Sequence, residues 1–384
     1  MERQSSYHKL KIILAVALLL VMFVPLAQQR IHFVEEEDLY GVFDTPKNPD
    51  VTWATWFDGS FQKEQEEHVK FKIGFKSWFV RLHNQLEFSL FDQANADEVI
   101  VGKENFLYQE RYILTCFGED AVDSNLVTYQ LNRLEQISDS LEQIGKHVIF
   151  IIAPGKGSFY PEYFPDQYQS RLRKKSNYDL FAAALPKRDI HYLDLNAWFM
   201  RMKGKTTFPI MSKTGIHWSD YGAMLAADTI TKYIAKVSGA PMPKIHIDAP
   251  VAADYVAFND KDIEMGMNLL FDIEDLTMAY PYFEIVKDSL ADTVQVLTIG
   301  DSFYWQLYHS GMSSKAFNQG EFWYYNQQVY VNHIDTIAQV AINDYARQVL
   351  KNDVVLVVAT DANLGQMGYG FIDLMWKDLF EKEK

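Results

Sequence analysis

The hydrophobic positions of the chain fall into three patterns, each predicting a different kind of element. Four short, continuous runs rich in β-branched residues, His147 to Ala153, Ile190 to Leu195, Val294 to Ile299 and Val354 to Ala359, read as strands buried on both faces, as in a parallel sheet. Apolar residues at helical spacing mark Ser124 to Ile144 before the first of these strands and Tyr221 to Val237 after the second. A third helical stretch, Phe61 to Phe91, carries Phe71, Phe75, Trp78, Phe79, Leu82, Leu86 and Leu90, and this stripe is expected to face the core. Strands alternating with helices predict a doubly wound α/β domain with a mainly parallel sheet flanked by helices.

At the N-terminus, Arg3, Lys9 and Lys11 precede an uncharged stretch from Ile12 to Ala27, the charge-then-apolar order of an export signal. That stretch is shorter than the roughly 20 residues a spanning helix prefers. Its exit reads Pro25-Leu26-Ala27-Gln28-Gln29-Arg30, however, with proline where signal cleavage wants a small residue. An uncleaved signal anchor over 1–29 is expected, a cleaved signal peptide being the alternative. Residues 30–50, with Glu35, Glu36, Glu37, Pro46 and Pro49, read as a stalk, and 51–384 as the domain. The proline-bearing, acidic stretch 239–288 breaks the strand-helix alternation and reads as an insertion.

Composition narrows the function classes. Hydrophobic residues at 48% and aromatics at 15% belong to a folded chain. A net charge of −15 without a long basic run speaks against a nucleic-acid surface. Cys116 is the sole cysteine, which excludes an intramolecular disulfide and a Cys/His zinc pattern. The acids from Asp260 to Asp275 lack EF-hand spacing and are read as a solvated face, so no metal is expected. Phosphate-loop and dinucleotide motifs are missing, and no cofactor is implied.

The strand ending at Ile299 runs into Gly300-Asp301-Ser302-Phe303, which places Ser302 beyond the carboxyl end of a parallel strand, where ligands of open sheets bind. There it reads either as a nucleophile beside backbone N–H groups or as a helix N-cap. A serine nucleophile needs a base, and Ser212-Lys213-Thr214-Gly215-Ile216-His217-Trp218-Ser219-Asp220-Tyr221-Gly222 supplies His217 just ahead of an alanine-rich helix capped by Ser219.

GDSF after a strand, HW-S-x-YGA at a helix start, Ala153-Pro154-Gly155-Lys156 with Tyr160-Pro161-Glu162, and Gly102-Lys103-Glu104-Asn105-Phe106-Leu107-Tyr108 together resemble the alginate O-acetylation proteins of the SGNH-hydrolase superfamily. The resemblance covers roughly 99–360 and includes the histidine-before-serine order. It implies an SGNH-hydrolase-like fold, Ser302 as nucleophile, His217 as general base and Asp301 as a brace for the serine loop. It also lends weight to Lys156, at a strand end, as a ligand for an anionic or hydroxyl-rich group, the alternative being a solvated lysine; Tyr308, six residues after Ser302, is a candidate donor or sugar-stacking ring by its position in the chain. The family places an aspartate two residues before the histidine, where this chain has Gly215. Three readings therefore stay open: a Ser-His dyad oriented by a backbone carbonyl, a substitute carboxylate such as Asp220 or Asp194, or a relative without turnover.

By that resemblance the chain is expected to be an extracytoplasmic O-acyltransferase, specifically an O-acetyltransferase, acting on an exopolysaccharide or other surface glycan. An MBOAT-type membrane protein would supply the acyl group. A single-pass inner-membrane protein with its domain in the periplasm follows from the basic N-terminal flank. A glycan O-acetyl esterase and an inactive, membrane-tethered assembly protein are the rivals.

Overall fold

In the computed structural model, which describes residues 2–41, 45–287, 294–331 and 334–381, the four expected runs become neighbours in one seven-stranded sheet. Numbered in chain order, its strands are β1 His147–Ala153, β2 His191–Asp194, β3 Val296–Gly300, β4 Phe322–Tyr324, β5 Gln328–Val331, β6 Ile334–Gln339 and β7 Val354–Thr360. The spatial order is β6-β5-β4-β3-β7-β1-β2. The five strands from β4 to β2 are parallel, while β5 and β6 add antiparallel pairings at one edge. Those three edge-side strands, β4 to β6, are additions to the expected set.

Burial explains the arrangement. All seven residues of β7 are buried, as expected for a central strand covered on both faces. Alternate side chains, Phe150 and Ile152 of β1, Leu297 and Ile299 of β3, and Val355 and Val357 of β7, pack with Leu131 and Leu134 of the helix Ser124–Glu142 and with Phe371 and Met375 of the C-terminal helix. The helices Leu195–Met202 and Asp220–Ser238 also pack against the sheet. The architecture is thus an α/β one, a mainly parallel sheet flanked by helices, with one apolar N-terminal helix ahead of it in the chain.

By contact density the chain divides into two units, Met1–Ala96 with Glu264–Asp272, and Asp97–Ile263 with Ile273–Lys384. The first contains the helix Glu2–Ile31, whose segment Leu10–Ile31 is 22 residues long and apolar enough to cross a membrane. At about 1.5 Å per residue it matches a hydrocarbon core of about 30 Å, because the helix runs on past Ala27. The Phe61 to Phe91 stretch departs from expectation. It forms two helices, Ser60–Lys72 and Lys76–Phe91, broken at Phe75, which takes a left-handed φ of 61°. Its stripe is not core either, for Trp78, Phe79, Leu82, Leu86 and Leu90 are exposed.

Parts of four expected segments lie outside the described residues: Met1 of the anchor, 42–44 of the stalk, Asp288 of the insertion, and 288–293, 332–333 and 382–384 of the domain. The side chains of Arg3 and Lys9 lie outside them too.

Candidate active site

Strand β3 ends at Gly300, and the chain turns through Asp301 and Ser302 before the short helix Tyr304–His309. Asp301 is fully buried and ties this turn to the end of β7. Its Oδ2 accepts from the Thr360 N–H (2.8 Å), the Thr360 hydroxyl (2.9 Å), the Asn363 amide (2.8 Å) and the Tyr369 hydroxyl (3.1 Å), while Oδ1 accepts from the Phe303 N–H (3.1 Å). A carboxylate saturated with donors in a dry interior fixes a loop rather than relaying protons. Ser302 is not the residue that caps the following helix, since Phe303 holds that position.

The second loop is built as firmly. Ser219 caps the helix Asp220–Ser238, accepting from the Gly222 N–H (3.0 Å) and donating to the Pro209 carbonyl (2.8 Å). Trp218 next to it is wholly buried, its ring against Phe199 and Phe303. This leaves His217 with its ring edge-on to Phe303 at 4.8 Å and its two nitrogens in opposite directions. Nε2 lies 2.9 Å from Ser302 Oγ, and Nδ1 lies 2.6 Å from Asp262 Oδ2. Asp262 Oδ1 accepts from the Ile216 N–H at 2.8 Å, so one carboxylate fixes both the ring and the backbone before it. A carboxylate at Nδ1 selects the tautomer with the proton there, which leaves Nε2 free to accept from the serine.

Asp262 therefore stands where an orienting acid belongs, and not on the solvated face expected for the acids from Asp260 to Asp275. Asp260, two residues before it, is wholly buried. Burial acts to raise the Asp262 carboxyl. The charge and hydrogen bond of His217, the Ile216 N–H and the charge of Lys156 outweigh it, holding the carboxyl below its ordinary value. Gly215 explains the departure from the D-x-H spacing. A Cβ there would lie 2.7 Å from Ser212 Oγ and 2.8 Å from the Asp260 carbonyl, so the Asp260–Asp262 segment fills the space an aspartate at 215 would need.

The two substitute acids lie elsewhere. Asp220 accepts from the Gln306 amide (2.8 Å) and the Asn259 amide (3.2 Å). Asp194 caps the helix Leu195–Met202 through the Ala197 N–H (2.8 Å) and accepts from the Tyr178 hydroxyl (3.0 Å). Neither is the carboxylate at His217. Lys156 is not exposed toward a ligand: it is fully buried and donates to the carbonyls of Lys213 and Gly215, beneath the His217 loop. Burial pushes its ammonium down to about 7, against the charges of Asp262 and Asp275. Tyr308 is 2% exposed, with its ring among Trp305, Phe322 and Tyr330, and has no face open for a sugar. Nothing in the sequence marked Asp262 apart from its acidic neighbours; its one distinction is that it opens a short helix, Asp262–Met267.

Among the described residues, Glu142, His147 and His191 bring possible metal-ligating atoms within 4.8 Å of one another, at the opposite ends of β1 and β2 from this line. The Glu142–His191 ion pair at 2.9 Å already accounts for two of them.

Residues 99–252 match the family model described as "SGNH hydrolase-like domain, acetyltransferase AlgX". The "Probable alginate O-acetylase AlgJ" of Pseudomonas putida is 23% identical over 185 residues, 48% of this chain and 46% of that protein. The protein of the same name from Azotobacter vinelandii is 22% identical over 183 residues, 47% and 44% of the two chains. The chain thus spans about half the length of the curated relatives it matches. Among solved structures, the O-acetyltransferase domain of Pseudomonas putida AlgJ aligns with 70% of this chain and 92% of its own, at 16% identity and a TM-score of 0.43. Pseudomonas aeruginosa AlgX aligns with 72% and 67%, at 14% identity and a TM-score of 0.45.

Proposed function

We propose that the chain is a member of the SGNH-hydrolase-like alginate O-acetylation proteins, whose family model residues 99–252 match, and that it transfers acetyl groups to a polysaccharide through Ser302. The observation that carries this reading is the continuous line Ser302 Oγ, His217, Asp262, at 2.9 and 2.6 Å. A serine, a base and an orienting acid at hydrogen-bond reach are what acyl transfer requires of a protein without a cofactor.

In the proposed mechanism His217 Nε2 takes the Ser302 proton as Oγ attacks the carbonyl carbon of an acyl donor. The tetrahedral oxyanion is met by the Ser302 backbone N–H at the start of the turn, and Asp262 stabilises the imidazolium through Nδ1–H. Collapse expels the donor's leaving group, which takes the proton from Nε2 and leaves an acetyl ester on Ser302. A sugar hydroxyl then gives its proton to Nε2, attacks the ester, and departs acetylated as Oγ regains the proton. An ordered acid removes the main argument for a relative without turnover.

Acceptor, donor and location are part of the same proposal. The names of the relatives support an alginate-type polysaccharide as acceptor. An MBOAT-type membrane acyltransferase is the proposed acyl supplier. The helix Leu10–Ile31 supports a single-pass inner-membrane anchor with the globular part in the periplasm. Incubating the full chain with 4-nitrophenyl acetate and oligosaccharide acceptors, and weighing the products by mass spectrometry, tests the reaction. Acetylated oligosaccharide from the wild type and none from Ser302→Ala is expected. Release of acetate alone would assign the chain as an esterase, and unchanged glycan acetylation in cells carrying Ser302→Ala or His217→Ala would overturn the reading.

A further inference from the structure

The helix Lys76–Phe91 is amphipathic, yet it is turned inside out. Its buried positions are Ser77, Asn84 and Phe88, two of them polar. Ser77 donates to Glu36 (3.0 Å), and the Asn84 amide donates to the Met267 carbonyl (2.8 Å). The outward side carries Trp78, Phe79, Leu82, Leu86 and Leu90, between 46% and 67% exposed. At about 100° per residue these five fall within an arc of roughly 120°, the width of an apolar face that ordinarily seats against something. Earlier in the same unit the helix Trp53–Phe57 carries two further exposed aromatics, Trp53 and Phe57, stacked on each other and 81% and 77% exposed.

What lies beside this face is on the same unit. Immediately before the helix, Gly74 is packed so tightly against the end of the apolar N-terminal helix that a Cβ there would lie 2.4 Å from the Pro25 carbonyl and 2.7 Å from Gln28 Cβ. Glu36 locks the junction, accepting from the Gln28 amide (3.0 Å), the Phe75 N–H (2.8 Å) and Ser77. The aromatic face therefore begins one turn from the point where the helix Leu10–Ile31 reaches its polar exit, Gln28-Gln29-Arg30. Exposed Lys72 and Arg30 flank that point. Trp and Phe at the level of the headgroups, with Lys and Arg beside them, are the composition of an interfacial helix.

We propose that Lys76–Phe91 lies in the lipid interface of the bilayer that holds Leu10–Ile31, with Trp78, Phe79, Leu82, Leu86 and Leu90 set into the boundary between headgroups and acyl chains. This rests on the membrane-anchor reading and adds a second contact to it. Because Gly74 and Glu36 fix the start of Lys76–Phe91 to the end of the anchor helix, its apolar face is held at the level of the bilayer surface.

The full chain, with Cys116→Ser, is reconstituted into vesicles of phosphatidylethanolamine and phosphatidylglycerol and carries one nitroxide at Leu82→Cys, Leu86→Cys or Glu67→Cys. Glu67 lies on the helix Ser60–Lys72 with its side chain 58% exposed. The expected result is that labels at 82 and 86 collide several-fold more with oxygen than with an aqueous nickel chelate, and the label at 67 the reverse. Labels at 82 and 86 open to the chelate on chains that still float with the vesicles would overturn the docking and leave the anchor standing. Chains that fail to float would overturn both. Labels closed to both reagents would show a protein cover and overturn the lipid assignment.

Discussion

Asp262 reaches His217 across 45 residues of sequence, and its effect on the imidazole is open to a direct test. Asp262→Asn keeps the shape but can offer its amide N–H to Nδ1, favouring the tautomer that presents Nε2–H to the serine. A fall in kcat of about 10^3 to 10^4-fold with KM little changed is expected for losing such an acid. Asp220→Asn and Asp194→Asn, whose carboxylates serve Gln306 and a helix end, should leave the transfer rate close to wild type in the same assay. Adding Gly215→Asp to Asp262→Asn restores the sequence spacing of the family but should not restore activity. The new side chain meets Ser212 Oγ and the Asp260 carbonyl before it can reach the ring, and the double variant is expected to melt below Asp262→Asn by thermal unfolding.

The loop 212–219 is held from two sides, Lys156 binding the carbonyls of Lys213 and Gly215 and Asp262 the Ile216 N–H. Lys156→Met keeps the length of the side chain and leaves those two carbonyls without their buried donor, at a cost of about 1 to 3 kcal/mol. We expect a lower kcat with KM nearly unchanged, and looser protection of the Gly215 to Trp218 amides in hydrogen exchange, because the side chain holds the base without touching substrate. The parts of this site that were legible in the sequence are those adjacent to regular elements. Ser302 follows a continuous apolar strand, and His217 precedes an alanine-rich helix with a serine cap. Strand β7 was legible for the same reason, being buried from end to end. Strands β4 and β5 were not, since Phe322-Trp323-Tyr324 and Gln328–Val331 are short, aromatic or polar edge-side runs whose pairing depends on the neighbouring strand. Asp262 escaped because an acid in an acidic stretch gains its role only from tertiary contact. The stripe Trp78 to Leu90 was read with the right helical period and the wrong direction, as periodicity reports that a face exists and not what covers it.

For the folded unit as a whole, two buried acids set a pH dependence opposite to the usual one. Burial, with Asp220 adding repulsion, raises Asp260 to about 8, and burial raises Asp361 to about 7. Between the ordinary aspartate value near 4 and pH 7, both are protonated in the folded chain and ionised in the unfolded one. The folded state therefore binds more protons, and stability falls as pH rises, by at most about 1.4 kcal/mol per pH unit for each group. Asp262, held low, contributes its stability above the unfolded value and loses it only as pH falls through its lowered folded one, outside this window. Lys156, lowered to about 7, makes stability rise with pH only between about 7 and its ordinary value near 10.5. The melting temperature should accordingly be higher at pH 5 than at pH 7. Asp260→Asn replaces a carboxyl that is already neutral in the folded chain with a neutral amide of the same shape. It should melt near wild type at pH 5, melt above it at pH 7, and show a shallower decline between the two. A wild type more stable at pH 7 than at pH 5, or a variant with an unchanged slope, would mean that Asp260 is ionised in the fold and that the segment leading to Asp262 is held by its charge.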